Sequence, residues 1–229
     1  MQQQNVARHL SQGRRVVGRK IGLTSATVQA QLGVNRPDFG VLLDDMDVSN
    51  TATIAMDMLL QPKIEAEIAF TLEADLDAGD LSREQVLAAV AHAAAALEIV
   101  DSRIADWDIT FGDTVADNAS SGLFLTAADG VSMEHLDPVT ELMTLTRNGE
   151  VVSTGAGSAC LGDPINALVW LARTARDIGD PLRAGQVVLS GALGPMVEVR
   201  PADRFEVRFS TLGSLTAQFG AALDDRAAN

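Results

Sequence analysis

The segment IEAEIAF, residues 64–70, places two glutamates inside an apolar run and constrains the fold more than any other stretch. Successive side chains of a strand point to opposite faces, so Glu65 and Glu67 share one face and the apolar residues share the other. Two carboxylates on one face repel each other unless water covers them or a cation lies between them. The ordinary interpretation is a solvated outer face. The alternative is a binding site for a hard divalent cation, which takes carboxylate oxygens as ligands.

A third carboxylate lies in a second apolar segment. Glu98 is the one charge within ALEIV, where a buried acid needs a counter-charge or a metal ion. If Glu65, Glu67 and Glu98 converge from two strands, they form an oxygen-ligand site with open positions for water and substrate. Spacing alone does not separate this hypothesis from the solvated-surface interpretation.

The basic residues give a further hint about this region. Of the 17 basic residues, only Lys20 and Lys63 are lysine, and the others are arginine. Lysine carries a compact ammonium whose pKa shifts readily on burial, whereas arginine carries a broad, planar guanidinium that stays charged. Lys63 lies on the same predicted strand face as Glu65. The pattern suggests that these two positions need an ammonium group.

Composition excludes several classes of function. The 229 residues carry a net charge of −14, which repels a phosphate backbone and disfavours a nucleic-acid partner. No apolar run reaches the roughly 20 residues of a membrane span, and no basic amphipathic helix is evident. The N-terminus lacks the apolar core of a signal peptide, and a single cysteine, Cys160, cannot form an internal disulfide. These features predict a soluble cytoplasmic protein without nucleic-acid or membrane partners.

Two common hydrolytic chemistries are also disfavoured. A serine triad needs a histidine base, and zinc prefers cysteine and histidine ligands. The three histidines, His9, His92 and His135, are scattered through helical patterns and a polar loop, and Cys160 stands alone. Carboxylate chemistry is what remains.

The hydrophobic patterns predict a mixed fold. Strands are expected at 14–25, 62–73, 97–104 and 121–127, in a hairpin over 143–154 turning at Asn148–Gly149, and as four short strands after residue 184. Helices are expected in the first dozen residues and at 26–34, 80–96 and 162–180, with loops at 35–46 and 105–120. No βαβ repetition occurs, so we expect an α+β fold with a mixed, mostly antiparallel β core and flanking helices. Residues 1–229 are expected to form a single domain.

Several motifs together resemble a known family. GRKIGLTSATVQAQLGVNRPDFGVLLDDM, PKIEAEIAF, ALEIVDSRIADW, DTVADNASSG and LRAGQVVLSGALGPMVEV resemble, in that order, the 2-keto-4-pentenoate (2-hydroxypenta-2,4-dienoate) hydratases. These enzymes belong to the fumarylacetoacetate hydrolase superfamily. The resemblance spans about residues 5–220.

The resemblance implies a β-roll core of the fumarylacetoacetate hydrolase C-terminal-domain type and a bound Mg²⁺ or Mn²⁺ ion. By position, the metal carboxylates correspond to Glu65, Glu67 and Glu98. The active-site lysine corresponds to Lys20, which would hold a carboxylate or oxyanion, and the acid/base residue to Asp38. Ser120 or Ser121, in DNASSG, would lie near the substrate. A homo-oligomer, a pentamer or decamer, is also implied.

The activity implied is metal-dependent hydration of a 2-hydroxypenta-2,4-dienoate-type substrate to a 4-hydroxy-2-oxo acid, in the catabolism of aromatic compounds after meta-cleavage. A 2-oxo-hex-3-enedioate (4-oxalocrotonate) decarboxylase shares the metal carboxylates and stays open as an alternative. An acylpyruvate hydrolase is disfavoured because no histidine lies near these motifs. The helical stretch that usually begins the family is missing before MQQQNVARHL, so a truncated N-terminus and a non-enzymatic partner subunit are also considered.

Overall fold

The computed structural model describes residues 1–25, 29–30 and 33–222. The strands within these ranges are β1 (Val16–Gly22), β2 (Asp38–Leu43), β3 (Pro62–Leu72), β4 (Val90–Asp101), β5 (Ser121–Thr126), β6 (Leu142–Arg147), β7 (Glu150–Ala156), β8 (Val187–Leu189), β9 (Val197–Glu198), β10 (Arg204–Phe209) and β11 (Ser214–Gln218). The α-helices within them are α1 (Gln2–Ser11), α2 (Arg83–Ala88), α3 (Phe111–Ala116) and α4 (Pro164–Asp177). None of these described helices is long and apolar enough to cross a membrane.

The strands form two sheets. The larger sheet has the order β2-β1-β8-β3-β4-β5, with the short β9 also paired to β3. The smaller sheet has the order β11-β10-β6-β7. The pairing of β1 with β8 is parallel, and the other pairs between these strands are antiparallel. The expectation of a mixed, mostly antiparallel α+β fold is confirmed.

The hydrophobic core lies against one face of β3. Ile64, Ile68 and Phe70 are fully buried there, as the alternation in IEAEIAF predicts. The same core continues into the smaller sheet through Phe205 and into the inner face of α4 through Leu168. The opposite face of β3, which carries the glutamates, is therefore turned away from the main core.

The hairpin between β6 and β7 also agrees with the sequence. Asn148 and Gly149 both adopt positive φ angles, 54° and 89°, as a type I′ turn requires. The four short strands expected after residue 184 are present as β8–β11.

The helix expected over 80–96 is wrong beyond its first turns. α2 ends at Ala88, and β4 begins at Val90 and includes the alanine tract. β4 pairs with β3 from Val90 to Asp101 and with β5 on its other edge, and Ala93–Ala96 are buried. Helix propensity favours alanine by only a few tenths of a kcal/mol per residue. Strand pairing and burial on both sides outweigh it.

Two expected loops contain regular structure. Residues 35–46 include β2, which pairs antiparallel with β1. Residues 105–120 include α3, whose capping box between Thr110 and Asp113 was present in the sequence as a T-x-x-D signal. The helix expected over 26–34 lies mostly outside the described residues.

α4 begins as the sequence predicts, and its cap offers a test of stability. The Asp163 side chain accepts a hydrogen bond from the Ile165 backbone N–H at 2.8 Å and also pairs with Arg83 of α2 at 2.7 Å. We expect Asp163→Ala to lower the free energy of unfolding by about 1 kcal/mol, measured by urea denaturation. Asp163→Asn, which keeps the cap but loses the charge, should cost less. Equal losses would show that the ion pair with Arg83 dominates instead.

Candidate metal centre and active site

Three carboxylates meet on the face of the large sheet that is turned away from the main core. Glu65, Glu67 and Glu98 each offer an oxygen, and these oxygens all lie within 4.8 Å of one another. All three residues are buried, with relative exposures of 9%, 0% and 1%. The solvated-surface interpretation is therefore wrong for this face of β3. The convergence that the metal-site hypothesis requires is present.

Strand register creates this cluster. Glu65 of β3 lies directly opposite Glu98 of β4, and Glu67 follows two residues along the same face of β3. Like charges at directly opposed positions of a sheet destabilise it. The arrangement costs free energy unless a cation compensates it, and buried groups of like charge are typical of functional sites.

The carboxylate oxygens fit a divalent metal ion. Glu67 Oε2 accepts a hydrogen bond from the Gly191 backbone N–H at 2.7 Å, whereas Glu67 Oε1 and both oxygens of Glu98 have no hydrogen-bond partner among the described residues. Buried polar atoms are rarely left unsatisfied, and orphaned ones call for an ion or another explanation. Three converging carboxylates with free oxygens are the donor set that hard divalent cations prefer. The cluster can hold a metal ion.

Lys20 extends from β1 towards the carboxylates. Its Nζ lies 3.0 Å from Glu98 Oε1, within ion-pair distance although not in hydrogen-bond geometry. Burial lowers the pKa of Lys20, but the charges of Glu98, Glu65, Asp38 and Glu67 more than offset this effect and raise the pKa above its ordinary value. Lys20 is therefore a buried ammonium that compensates part of the negative charge of the acidic cluster.

One lysine does not neutralise the cluster. Burial, reinforced by the neighbouring Glu98 charge, raises the pKa of Glu65 to about 7 despite the opposing effect of Lys20. Burial together with Glu98 and Glu65 raises the pKa of Glu67 well above its ordinary value. Without a metal ion, the cluster thus favours holding protons, the usual response of a buried group to uncompensated like charge.

Asp38 lies at the start of β2, beside Lys20. Its Oδ2 accepts a hydrogen bond from Thr114 Oγ1 at 2.9 Å, and its Oδ1 has no hydrogen-bond partner among the described residues. Burial raises the pKa of Asp38, with Lys20 and Thr114 acting in the opposite direction. Thr114 was not singled out in the sequence, because its role depends on α3, which was expected to be a loop.

The absence of a side chain at Gly22 leaves room for the Asp38 carboxylate. Gly22 is the cross-strand partner of Asp38, and a Cβ on Gly22 would stand 2.2 Å from Asp38 Oδ1. No side chain larger than hydrogen fits there without moving the carboxylate. The second glycine of GRKIGLTS thus allows the Asp38 carboxylate to occupy its position.

The two serines of DNASSG point in different directions. Ser120 lines the same cavity as Lys20 and Asp38, and its Oγ donates a hydrogen bond to Asp117. Ser121 lines a separate cavity beneath α1. Asn118, Ala119 and Ser120 all adopt positive φ angles of 51–59°, so this segment is one left-handed turn. Of the two serines, only Ser120 is placed to meet a ligand beside the carboxylates.

A cavity of about 870 Å³ opens beside the carboxylate cluster. Its polar side includes Lys20, Asp38 and Glu65, and apolar side chains line much of the rest: Ile21, Leu23, Val100, Trp107, Ile109, Leu193 and Met196. Lys63 also lines this cavity, with its Nζ 4.3 Å from the centre of the Trp107 ring. Trp107 was missed in the sequence because it lies in a segment without periodicity. The cavity is large enough for a small organic acid.

Comparisons with known proteins agree with this geometry. The model of the fumarylacetoacetate (FAA) hydrolase C-terminal family matches residues 15–220. A 2-keto-4-pentenoate hydratase of Paraburkholderia xenovorans is 57% identical over 215 residues, which cover 94% of this chain and 80% of that protein. A 2-hydroxyhexa-2,4-dienoate hydratase of Comamonas testosteroni is 44% identical over 209 residues, covering 90% of this chain and 79% of that protein.

A solved structure shares the fold. The 4-oxalocrotonate decarboxylase of Pseudomonas putida G7, complexed with magnesium and adipate, superposes with a TM-score of 0.91 at 36% identity, over 95% of this chain and 83% of that one. Fold, motifs and sequence identity agree: the chain belongs to the fumarylacetoacetate hydrolase family and, within it, to the 2-keto-4-pentenoate hydratase family that its motifs resemble.

Proposed function

We propose that the protein is a metal-dependent hydro-lyase that adds water to 2-hydroxypenta-2,4-dienoate-type substrates and forms 4-hydroxy-2-oxo acids in the meta-cleavage catabolism of aromatic compounds. The observation that carries the proposal is the buried cluster of Glu65, Glu67 and Glu98 beside Lys20 and Asp38. The names of the relatives that are 57% and 44% identical support the same activity.

Glu65, Glu67 and Glu98 would hold a Mg²⁺ or Mn²⁺ ion in this proposal. When bound, such an ion would act as a Lewis acid and neutralise the negative charge on adjacent oxygens of a 2-oxo or 2-hydroxy acid. The magnesium in the related decarboxylase structure supports the choice of a hard divalent ion. Lys20 compensates the remaining negative charge of the carboxylates from 3.0 Å.

We assign the proton transfers of the hydration reaction to Asp38. In the overall reaction, the hydroxyl of water is added at C4, while C3 and C5 each gain a proton, one from the C2 hydroxyl and one from water. Asp38 has a raised pKa, and its Oδ1 has no hydrogen-bond partner among the described residues, so this carboxyl group can serve as a general acid or base. Such general acid–base catalysis contributes about 10²–10⁴ in rate. Thr114 orients the carboxyl group, and Ser120 offers a hydroxyl to the substrate.

The 36% identical decarboxylase structure makes decarboxylation the second candidate. One assay separates the two activities. The purified protein is incubated with Mg²⁺ or Mn²⁺ while dienoate absorbance and CO₂ release are followed in parallel. Loss of the dienoate without CO₂ is expected. CO₂ release from 2-oxo-hex-3-enedioate would favour the decarboxylase, and no turnover with either metal would favour a non-enzymatic partner subunit.

Gly22→Ala tests the assigned role of Asp38 without altering a polar group. The added Cβ would displace Asp38 Oδ1, 2.2 Å away, so we expect kcat to fall by about 10²-fold or more. Gly112→Ala is the matched control, because its Cβ meets nothing closer than 3.7 Å. Both variants are compared by kcat and by thermal unfolding. An unchanged kcat in Gly22→Ala would remove Asp38 from the mechanism.

Three broader expectations accompany this function. We propose a single catalytic domain, supported by the larger hydrophobic cluster, which joins both sheets and α4. We also propose a cytoplasmic homo-oligomer of five or ten chains, in line with the family resemblance. Light scattering coupled to size-exclusion chromatography measures the number of chains.

A further inference from the structure

We propose that Lys63 binds the C1 carboxylate of the substrate, the carboxylate next to the C2 oxygen, and that Trp107 positions the Lys63 ammonium for this task. This inference rests on the proposed function, because it assigns a residue to a substrate of that class. In this proposal, Lys63 rather than Lys20 binds the substrate carboxylate, a role that the family resemblance suggests for Lys20.

Lys63 is a cation in the cavity wall that forms no ion pair with an acid of the described residues, although its charge acts on the nearby Glu65. It extends from the same face of β3 as Glu65, two residues away, yet makes no ion pair within the described part of the chain. Its neighbour across the β3–β9 pair, Glu198, is paired with Arg200 at 3.0 Å instead. The ammonium lies over the Trp107 ring, 4.3 Å from its centre. Cation–π attraction holds a cation without neutralising it, so the charge stays available to an anion.

The Trp107 ring is fixed by the surrounding backbone. Its Nε1–H donates a hydrogen bond to the Gln61 carbonyl oxygen at 3.0 Å, immediately before β3 begins. The Gln61 side chain in turn donates to the carbonyl oxygens of Ser102 and Ile104, which anchors the segment that carries the ring. Asp106 and Trp107 both have a φ of 57°, an uncommon conformation for residues with these side chains. Such strain is kept where neighbouring contacts enforce it, often at ligand sites.

The charges of the cavity distinguish Lys63 from Lys20. Lys20 Nζ lies 3.0 Å from Glu98 Oε1. Glu65, Glu67 and Asp38 also interact with its charge, so four carboxylates already compensate this ammonium. Among the described residues that line the cavity, Lys63 is therefore the cation that is least compensated by acids: it forms no ion pair, and only Glu65 is influenced by its charge. Every substrate of the proposed class carries a carboxylate at C1, whatever its far end. Lys63 should accordingly matter for all of them, and not only for dicarboxylates.

Binding of two matched, unreactive 2-oxo acids tests this assignment. The ligands are 2-oxohexanoate, which ends in a methyl group, and 2-oxohexanedioate, which ends in a second carboxylate. Isothermal titration calorimetry is carried out on the Mg²⁺-loaded wild type, on Lys63→Met and Lys63→Gln, and on Arg200→Met. The last variant removes one exposed positive charge from the neighbouring segment outside the cavity and is the matched control.

We expect both Lys63 variants to bind both ligands about tenfold more weakly or worse, since a hydrogen bond to a charged group is lost. Arg200→Met should bind both within about twofold of the wild type, because exposed ion pairs contribute little. Weaker binding of 2-oxohexanedioate alone would overturn the assignment, because Lys63 would then bind the second carboxylate at the far end of the ligand. Unchanged binding of both ligands would overturn it as well.

Trp107 is tested by a pair of variants with the same readout. Trp107→Phe keeps an aromatic face under the ammonium, whereas Trp107→Leu removes it. If the ring positions Lys63, the leucine variant binds both ligands more weakly than the phenylalanine variant. Equal affinities of the two would refute the positioning role. Turnover of the dienoate by the wild type is measured alongside, so that a protein that binds 2-oxo acids through Lys63 but hydrates nothing refutes the proposed function alone.

Discussion

Glu67→Gln is expected to weaken metal binding, and with it turnover at limiting Mg²⁺, by about 100-fold or more while the metal-free chain stays folded. Glutamine keeps the shape of the side chain, and its amide oxygen can still accept the hydrogen bond from the Gly191 N–H. The raised pKa of Glu67 shifts the metal-free residue towards its protonated form, and glutamine mimics that form. The variant loses the charge of a proposed metal ligand rather than a structural contact.

The size of this effect can be measured through stability. Loss of a residue that only supports a metal ligand costs about 10–100-fold in affinity, so loss of a ligand itself should cost at least about 100-fold. At a Mg²⁺ concentration of 100 Kd, the wild type gains about 2.7 kcal/mol of stability, and a variant with 100-fold weaker binding gains only about 0.4 kcal/mol. Urea denaturation with and without Mg²⁺ reports both values. A variant that keeps the full metal-dependent gain would exclude Glu67 as a ligand.

Lys20→Met is expected to give the largest loss of stability in the metal-free protein. Methionine fills a similar volume but leaves the buried Glu98 carboxylate without the ammonium 3.0 Å away. Removing one partner of a buried ion pair costs about 3–5 kcal/mol. In urea, with the metal chelated, this loss lowers the denaturation midpoint by about 1 M or more.

Lys63→Met is the matched control for that measurement. It makes the same chemical change in the same cavity, but Lys63 is only partly buried and has no acidic partner among the described residues. We expect it to lower the free energy of unfolding by less than about 1 kcal/mol. Similar losses in both variants would mean that the Lys20–Glu98 pair contributes nothing specific to stability.

Strand geometry allowed the carboxylate cluster to be put forward from the sequence as one of two interpretations, and the family resemblance favoured it over a solvated surface. A period of two places Glu65 and Glu67 on one face, and a lone acid in the apolar segment ALEIV marks Glu98 as needing a partner. The positions of Lys20 and Asp38 came from the family resemblance. Periodicity did not give them, because their closeness to the cluster depends on the pairing of β1 with β2 and β8.

The errors arose where tertiary contacts override local preference. The alanine tract before Glu98 favours a helix by propensity, yet it forms β4 between two other strands. Asp38 was expected in a loop because Pro37 and Gly40 flank it, but it begins β2. Thr114 and Trp107 could not be found, since their roles depend on how residues 105–116 pack against Asp38 at the start of β2 and Lys63 at the start of β3.

The most direct test of the metal site is diffraction from crystals soaked in Mn²⁺, recorded at the manganese absorption edge. We expect one anomalous peak per chain, bonded to one or more oxygens from each of Glu65, Glu67 and Glu98. The Glu67→Gln crystals, soaked in the same way, should show a much weaker peak at that position. Manganese bound elsewhere, or none bound between these three carboxylates, would contradict the central claim.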